Sequence, residues 1–109
     1  MSLDIYFTGK QTEDVTLADF NITHNLNRMA QEAGIYKVLW RPEEIGIKKA
    51  KQMIKPLEKG LEKLKEDPEY FKKFDSPNGW GTYKHFVPFV EEVLDACKKY
   101  PHSKVSVSR

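Results

Sequence analysis

Three short stretches hold the residues whose types and spacing suit chemistry. The first is "NITHN", residues 21–25. On a helix, Asn21, His24 and Asn25 share one side, because spacings of three and four return to one face. An imidazole and two amides beside the free N–H groups of a helix start suit an anion or a phosphate. The same residues also fit a plainer purpose. Asn21 can cap the helix, and His24 and Asn25 can bond neighbouring loops.

The second stretch is "LWRPEE", residues 39–44. Pro42, Glu43 and Glu44 belong to a helix start, where a missing N–H costs nothing and negative charge is favoured. Trp40 and Arg41 are left over. A guanidinium can clamp a carboxylate or phosphate through two parallel bonds, and an indole can stack on a ring. The alternative makes Trp40 a core anchor and Arg41 half of a surface ion pair.

The third stretch is "DSPNGWGTYKHF", residues 75–86. Asn78 and Gly79 both tolerate positive φ and predict a turn. Thr82 is placed to cap a following helix. Trp80 stands between two glycines, which strip side chains from beside the indole, with Tyr83 just beyond. Such a ring either packs tightly against backbone or leaves room for a ligand ring.

Familiar catalytic and metal patterns are missing. The histidines at 24, 85 and 102 form no i,i+4 zinc pair, and there is no phosphate-loop motif and no GxGxxG. Nothing favours a nucleophilic triad. The carboxylate pairs at 43/44, 66/67 and 91/92 fall on helix starts or solvated faces. No catalytic residue, metal or cofactor is assigned, and an enzyme is the least supported class. Cys97 is the sole cysteine, which excludes an internal disulfide and a thiolate metal cluster. Its spacing is that of a small buried residue on a helix.

These stretches need a frame. "LDIYFT" alternates, with Leu3, Ile5 and Phe7 on one face and Asp4, Tyr6 and Thr8 on the other, which predicts a half-buried strand. "VSVS", with Val105 and Val107, predicts another. "EDVTLADF", residues 13–20, predicts a weaker third, with Gly9 and Lys10 opening the loop between the first two. A first helix is expected from Asn21 or Thr23 to Ala33, ended by Gly34. Ile47, Ala50, Ile54, Leu57, Leu61 and Leu64 predict a second helix, bent near Pro56. Asp67 and Pro68 start a short helix through Phe74. A last helix spans Thr82 to about Lys99, with a kink or late start at Pro88, and Pro101 stops it. The expected fold is α+β: about three antiparallel strands, from the N-terminal region and the C-terminal strand, packed against three to four helices.

The 109 residues suffice for one domain, 1–109, and the hydrophobic share of 39% allows a core despite 31% charged residues. A chain this small gains from a second copy, so a homodimer fits. With 18 basic and 16 acidic residues, the net charge of +2 does not suit a dedicated nucleic-acid binder. No stretch is long and apolar enough for a membrane span, and Met1–Thr8 lacks the apolar segment of a signal peptide. The expected location is the cytoplasm.

"NITHNLNRM", "PNGWGTY" and "CKKYPHSKVSVS" together resemble a group of small proteins of bacteriophage, prophage and bacterial genomes. Members carry N-(I/V)-T-(H/Y)-N and P-N-G-W-G stretches and have no assigned activity. The resemblance runs from residue 3 to the end. It implies a phage setting, in the host cytoplasm, and accessory roles such as neutralising a host defence.

Two functions follow as expectations. One is binding or sequestering a nucleotide-like small molecule in a pocket where helix starts converge, formed by Asn21, His24, Asn25, Arg41, Asn78, Trp80 and Tyr83. The other is a protein-interaction module that grips a host or phage protein through the lysine-rich second helix, an edge strand, or an apolar patch near Tyr70 and Phe74.

Overall fold

The computed structural model describes residues 2–10 and 14–109. Strands β1 (Ser2–Lys10) and β2 (Asp14–Thr23) are antiparallel neighbours, and β3 (Lys104–Ser108) pairs antiparallel with the other side of β1. The order is β2-β1-β3. The expected α+β architecture is therefore observed, and the terminal strands close the sheet as the alternating patterns require. Leu3, Ile5 and Phe7 are fully buried, whereas Tyr6 is exposed. Alternation puts one face of the sheet on the helices and leaves the other outside.

The helices are α1 (Asn27–Glu32), α2 (Tyr36–Trp40), α3 (Ile54–Glu66), α4 (Pro68–Lys72) and α5 (Tyr83–Lys99). Phe86, Phe89, Val90, Val93, Leu94 and Cys97 form the buried face of α5. Phe20 bridges sheet and helix, edge-on to Phe7 at 5.6 Å and to Phe89 at 6.3 Å. Leu57, Gly60 and Leu64 are the buried line of α3. A side chain at Gly60 would collide with Ile35 Cγ2, so this glycine allows close approach of the chain before α2.

Several boundaries differ from the sequence expectation. Gly9 and Lys10 remain in β1 rather than opening a loop. Glu13, the first residue of the expected second strand, lies outside the described residues, and that strand runs on to Thr23. The first helix therefore does not start at Asn21. A 3-10 turn at His24–Leu26 follows the strand, with Thr23 Oγ1 accepting from the Asn25 N–H at 3.3 Å, and α1 starts only at Asn27. The strand wins because Phe20 and Ile22 continue the period-two face onto the core, opposite Ile5 and Leu3. Pro56 falls in the first turn of α3, where its missing N–H has no intrahelical role, and a 3-10 turn at Ala50–Met53 precedes it. The expected short helix ends at Lys72 rather than Phe74. Pro88 lies inside α5, which begins at Tyr83, so the start is not late.

One residue in β2 has no partner in β1. Phe7 faces Ala18 and Thr8 faces Thr16, which leaves Leu17 extra in a bulge. Leu17 leans over Gly9, where a Cβ would come within 2.9 Å of its Cδ1. Among the described residues, no helix is long and apolar enough to cross a membrane.

Candidate functional site

The loop from Asp75 to Thr82 is built by its polar side chains. Asn78 Oδ1 accepts from the Trp80 N–H at 2.9 Å and from Ser76 Oγ at 2.6 Å. The Ser76 N–H donates to the Gly81 carbonyl at 3.0 Å, closing the loop on itself. Gly79 and Gly81 have φ of 78° and 102°, values that a side chain resists. At Gly81 space is short as well, since a Cβ would meet Thr23 Cγ2 at 3.0 Å and Asn25 Cβ at 3.1 Å. The glycines are thus explained by backbone shape and by contact with the turn after β2.

The expected cap of α5 is corrected here. Thr82 has extended backbone but makes no side-chain cap bond. Asp75 Oδ1 accepts from the Tyr83 N–H instead, at 2.7 Å. Thr82 Oγ1 is paired with His85 Nδ1 at 2.9 Å.

The Trp80 ring does not pack tightly against backbone. It is 71% exposed, the most exposed of the large hydrophobic residues described. Its backbone is pinned from both sides, because Asn25 Nδ2 donates to the Trp80 carbonyl at 2.8 Å. An open groove of about 630 Å³ lies beside the indole, lined by Ser2, Asn21, Ile22, Thr23, Leu26, Gly79, Gly81 and His85. Among the described residues, no lysine, arginine, aspartate or glutamate lines it.

The other expected site residues disperse. Asn21 is in β2, not on a helix turn with His24, and its amide donates to Asp4 Oδ1 at 2.7 Å and Ser2 Oγ at 3.0 Å. It reaches the groove with that amide already engaged. His24 turns away from the groove to accept a hydrogen bond from the Trp40 indole at 2.8 Å. Trp40 is 2% exposed and stacked on Tyr36 at 5.6 Å, so it is core. Arg41 bonds the Tyr36 hydroxyl at 3.2 Å and Glu44 at 2.9 Å. Those two bonds, Tyr36 first, hold its guanidinium above its ordinary pKa. Arg41 is the surface ion pair of the plainer alternative. The Tyr83 hydroxyl donates to the Leu64 carbonyl at 2.8 Å, one of the free carbonyls at the end of α3.

Trp80 and Asn21 therefore share a groove, joined from outside the lining by Asn25 and Asn78 as supports. His24, Arg41 and Tyr83 belong to other networks. Ser2 and His85 line the groove without having been assigned to the expected pocket. His85 is one turn beyond Thr82, a spacing visible in the sequence, but nothing marks Ser2 except its pairing with Thr23 across the sheet.

A second cavity, of about 600 Å³, opens at the other end of the sheet, between Thr8, Leu17, Lys49 and the segment Lys99–Lys104. In the patch expected near Tyr70 and Phe74, Tyr70 is exposed and both rings carry a cation. Arg28 lies over the Phe74 ring at 5.4 Å and Lys73 over Tyr70 at 5.6 Å. The hydrogen bond from Tyr70 to Glu32 raises the phenol pKa. Among the described residues, no cluster of His, Cys, Asp or Glu could hold a metal ion. No family model matches the chain, and neither a curated protein nor a solved structure shows significant similarity to it.

Proposed function

We propose that this chain is a non-catalytic interaction module that docks an extended, uncharged segment of a partner protein in the Trp80 groove. The observation that carries this reading is the exposed indole on a pinned backbone. An aromatic ring held out of solvent contact by nothing, on a loop fixed by hydrogen bonds, is the kind of preorganised anchor that protein interfaces use. The groove also runs along Asn21–Thr23 at the end of β2. That strand is an edge of the sheet, with β1 on its other side. A partner segment added there would gain main-chain bonds from β2 and stack a side chain on Trp80.

The nucleotide-like ligand expected from the sequence fits this groove less well. A phosphate needs a cation or free donors, and the described lining has no lysine or arginine while the Asn21 amide is bonded within the sheet. Resemblance to phage and prophage proteins makes a host or phage protein the natural partner class.

The test is peptide selection from a random library, followed by titration into labelled protein. Expected are peptides that shift the Trp80 indole resonance and lose at least about tenfold in affinity against Trp80→Ala, as for an interface hot spot. Nucleotides that saturate the same resonance while no peptide does would replace this reading with the small-molecule one. Peptides that bind Trp80→Ala unchanged would remove the groove as the working face.

A further inference from the structure

We infer that the second cavity is a binding site for a small phosphate-bearing polyanion, such as a nucleoside di- or triphosphate. It is independent of the Trp80 groove. The groove begins where Ser2 pairs with Thr23, whereas this cavity lies by Gly9, at the opposite end of the β1–β2 ladder.

The cavity gathers positive charge on a fixed frame. Lys49, Lys99 and Lys104 line it together with His102, and among the described residues no aspartate or glutamate does. Lys49 and Lys104 face each other across an isolated antiparallel bridge. Three main-chain bonds clamp the two segments: Ala50 N–H to Ser103 O at 3.0 Å, Lys51 N–H to Pro101 O at 2.9 Å, and Val105 N–H to Lys48 O at 3.0 Å. Buried Ser103 locks the turn, its hydroxyl donating to the Tyr100 carbonyl at 2.7 Å.

Like charges opposite one another destabilise a strand pair unless something neutralises them. Within the described residues, none of the three lysines has an ion-pair partner. Lys49 Nζ reaches only the His102 carbonyl, at 3.3 Å, and Lys99 lies over the Tyr100 ring at 5.3 Å. The frame thus holds repulsion that a bound anion relieves, with little reorganisation. Among the other walls, Leu17, Pro101 and Tyr100 are apolar or aromatic and suit the organic part of such a ligand. A volume near 600 Å³ is in the range of small-molecule sites.

A nucleic-acid strand fits less well, because part of the neighbouring positive charge is already paired. On the neighbouring helices Lys98 is paired with Glu58 and Lys65 with Glu91.

The test titrates inorganic triphosphate and ATP into the whole chain by calorimetry, at low and at moderate salt. Expected is saturable one-to-one binding with a Kd below about 1 mM at low salt, weakening as salt screens the charges. The double variant Lys49→Gln, Lys104→Gln should bind at least about fivefold more weakly. It should also melt higher than the native chain without ligand, since the opposed charges are gone. Lys59→Gln with Lys63→Gln on α3, and Trp80→Ala, should bind as the native chain does. Unsaturable binding, equal weakening by the α3 variant, or a preference for a single-stranded RNA over ATP would overturn the assignment.

Discussion

The indole N–H of Trp40 donates to Nδ1 of His24 at 2.8 Å, from a ring that is 2% exposed. An indole only donates, so Nδ1 must carry the lone pair and Nε2 the hydrogen. This bond joins the turn after β2 to the end of α2. The same end is held from outside, where Arg109 Nη1 bonds the Trp40 carbonyl at 2.8 Å and Glu43 at 2.7 Å. Two of the residues that looked most like chemistry in the sequence are therefore spent on each other.

The first prediction concerns that bond. His24→Leu leaves a buried indole N–H without a partner and should cost about 1–3 kcal/mol. Trp40→Phe loses the bond and part of the packed volume, and should cost a similar amount or more. The double variant should be less destabilised than the sum by about 1 kcal/mol, because the unpaired donor no longer exists. Urea unfolding of the four proteins measures this. Strictly additive costs would show that the pair contributes nothing of its own.

The sheet and the long helices were legible because their periods are local. Leu3, Ile5 and Phe7 alternate and are fully buried, and Phe86, Val90, Val93 and Cys97, which step by four, three and four, are buried too, although Phe89 joins that face off the step. "NITHN" was not legible for a physical reason. Asn21 and Thr23 are good caps, but Ile22 fits a strand as well as a helix. The choice is made by Ile22 and Phe20 pairing with Leu3 and Ile5 across the sheet. The site was harder still. Residue types put His24, Arg41 and Tyr83 in one pocket, while their partners Trp40, Glu44 and Leu64 decide otherwise. Exposure of Trp80 follows from the loop closing on Asn25 and Asn78, which spacing does not encode. The lysine cavity joins residues 49, 99 and 104, and only the β3 pairing reveals it.

The second prediction separates the two candidate caps of α5. Asp75 Oδ1 accepts from the Tyr83 N–H at 2.7 Å, whereas Thr82 makes no cap bond. Asp75→Ala should cost about 0.5–2 kcal/mol, the usual loss for a helix cap. Thr82→Ala should cost less, since it releases only the contact with His85. It should also leave the Trp80 loop intact, while Asp75→Ala should loosen it. Thermal melts and amide exchange at Gly81 and Tyr83 check both statements. A larger loss for Thr82→Ala would show that the threonine, not the aspartate, sets the helix start.

The third prediction concerns Cys97, which is fully buried on the core face of α5. Burial disfavours the thiolate and pushes the thiol from 9.0 up to about 12. In the unfolded chain the thiol ionises near its ordinary value, so above it the unfolded state binds fewer protons than the native one. Stability from this group is complete below pH 9.0 and declines as pH rises towards about 12. The slope is about 1.4 kcal/mol per pH unit while only the unfolded thiol is ionised. Lysines and tyrosines titrate in the same range, so the readout is a difference. Native minus Cys97→Ala stability, from urea unfolding at successive pH values, should be flat up to pH 9.0 and then fall. The native thiol should also stay silent to a disulfide reagent until the protein unfolds, because the thiolate is the reactive form. A flat difference across the alkaline range, or rapid reaction in native buffer, would mean that the helix opens around Cys97 far more readily than its packing allows.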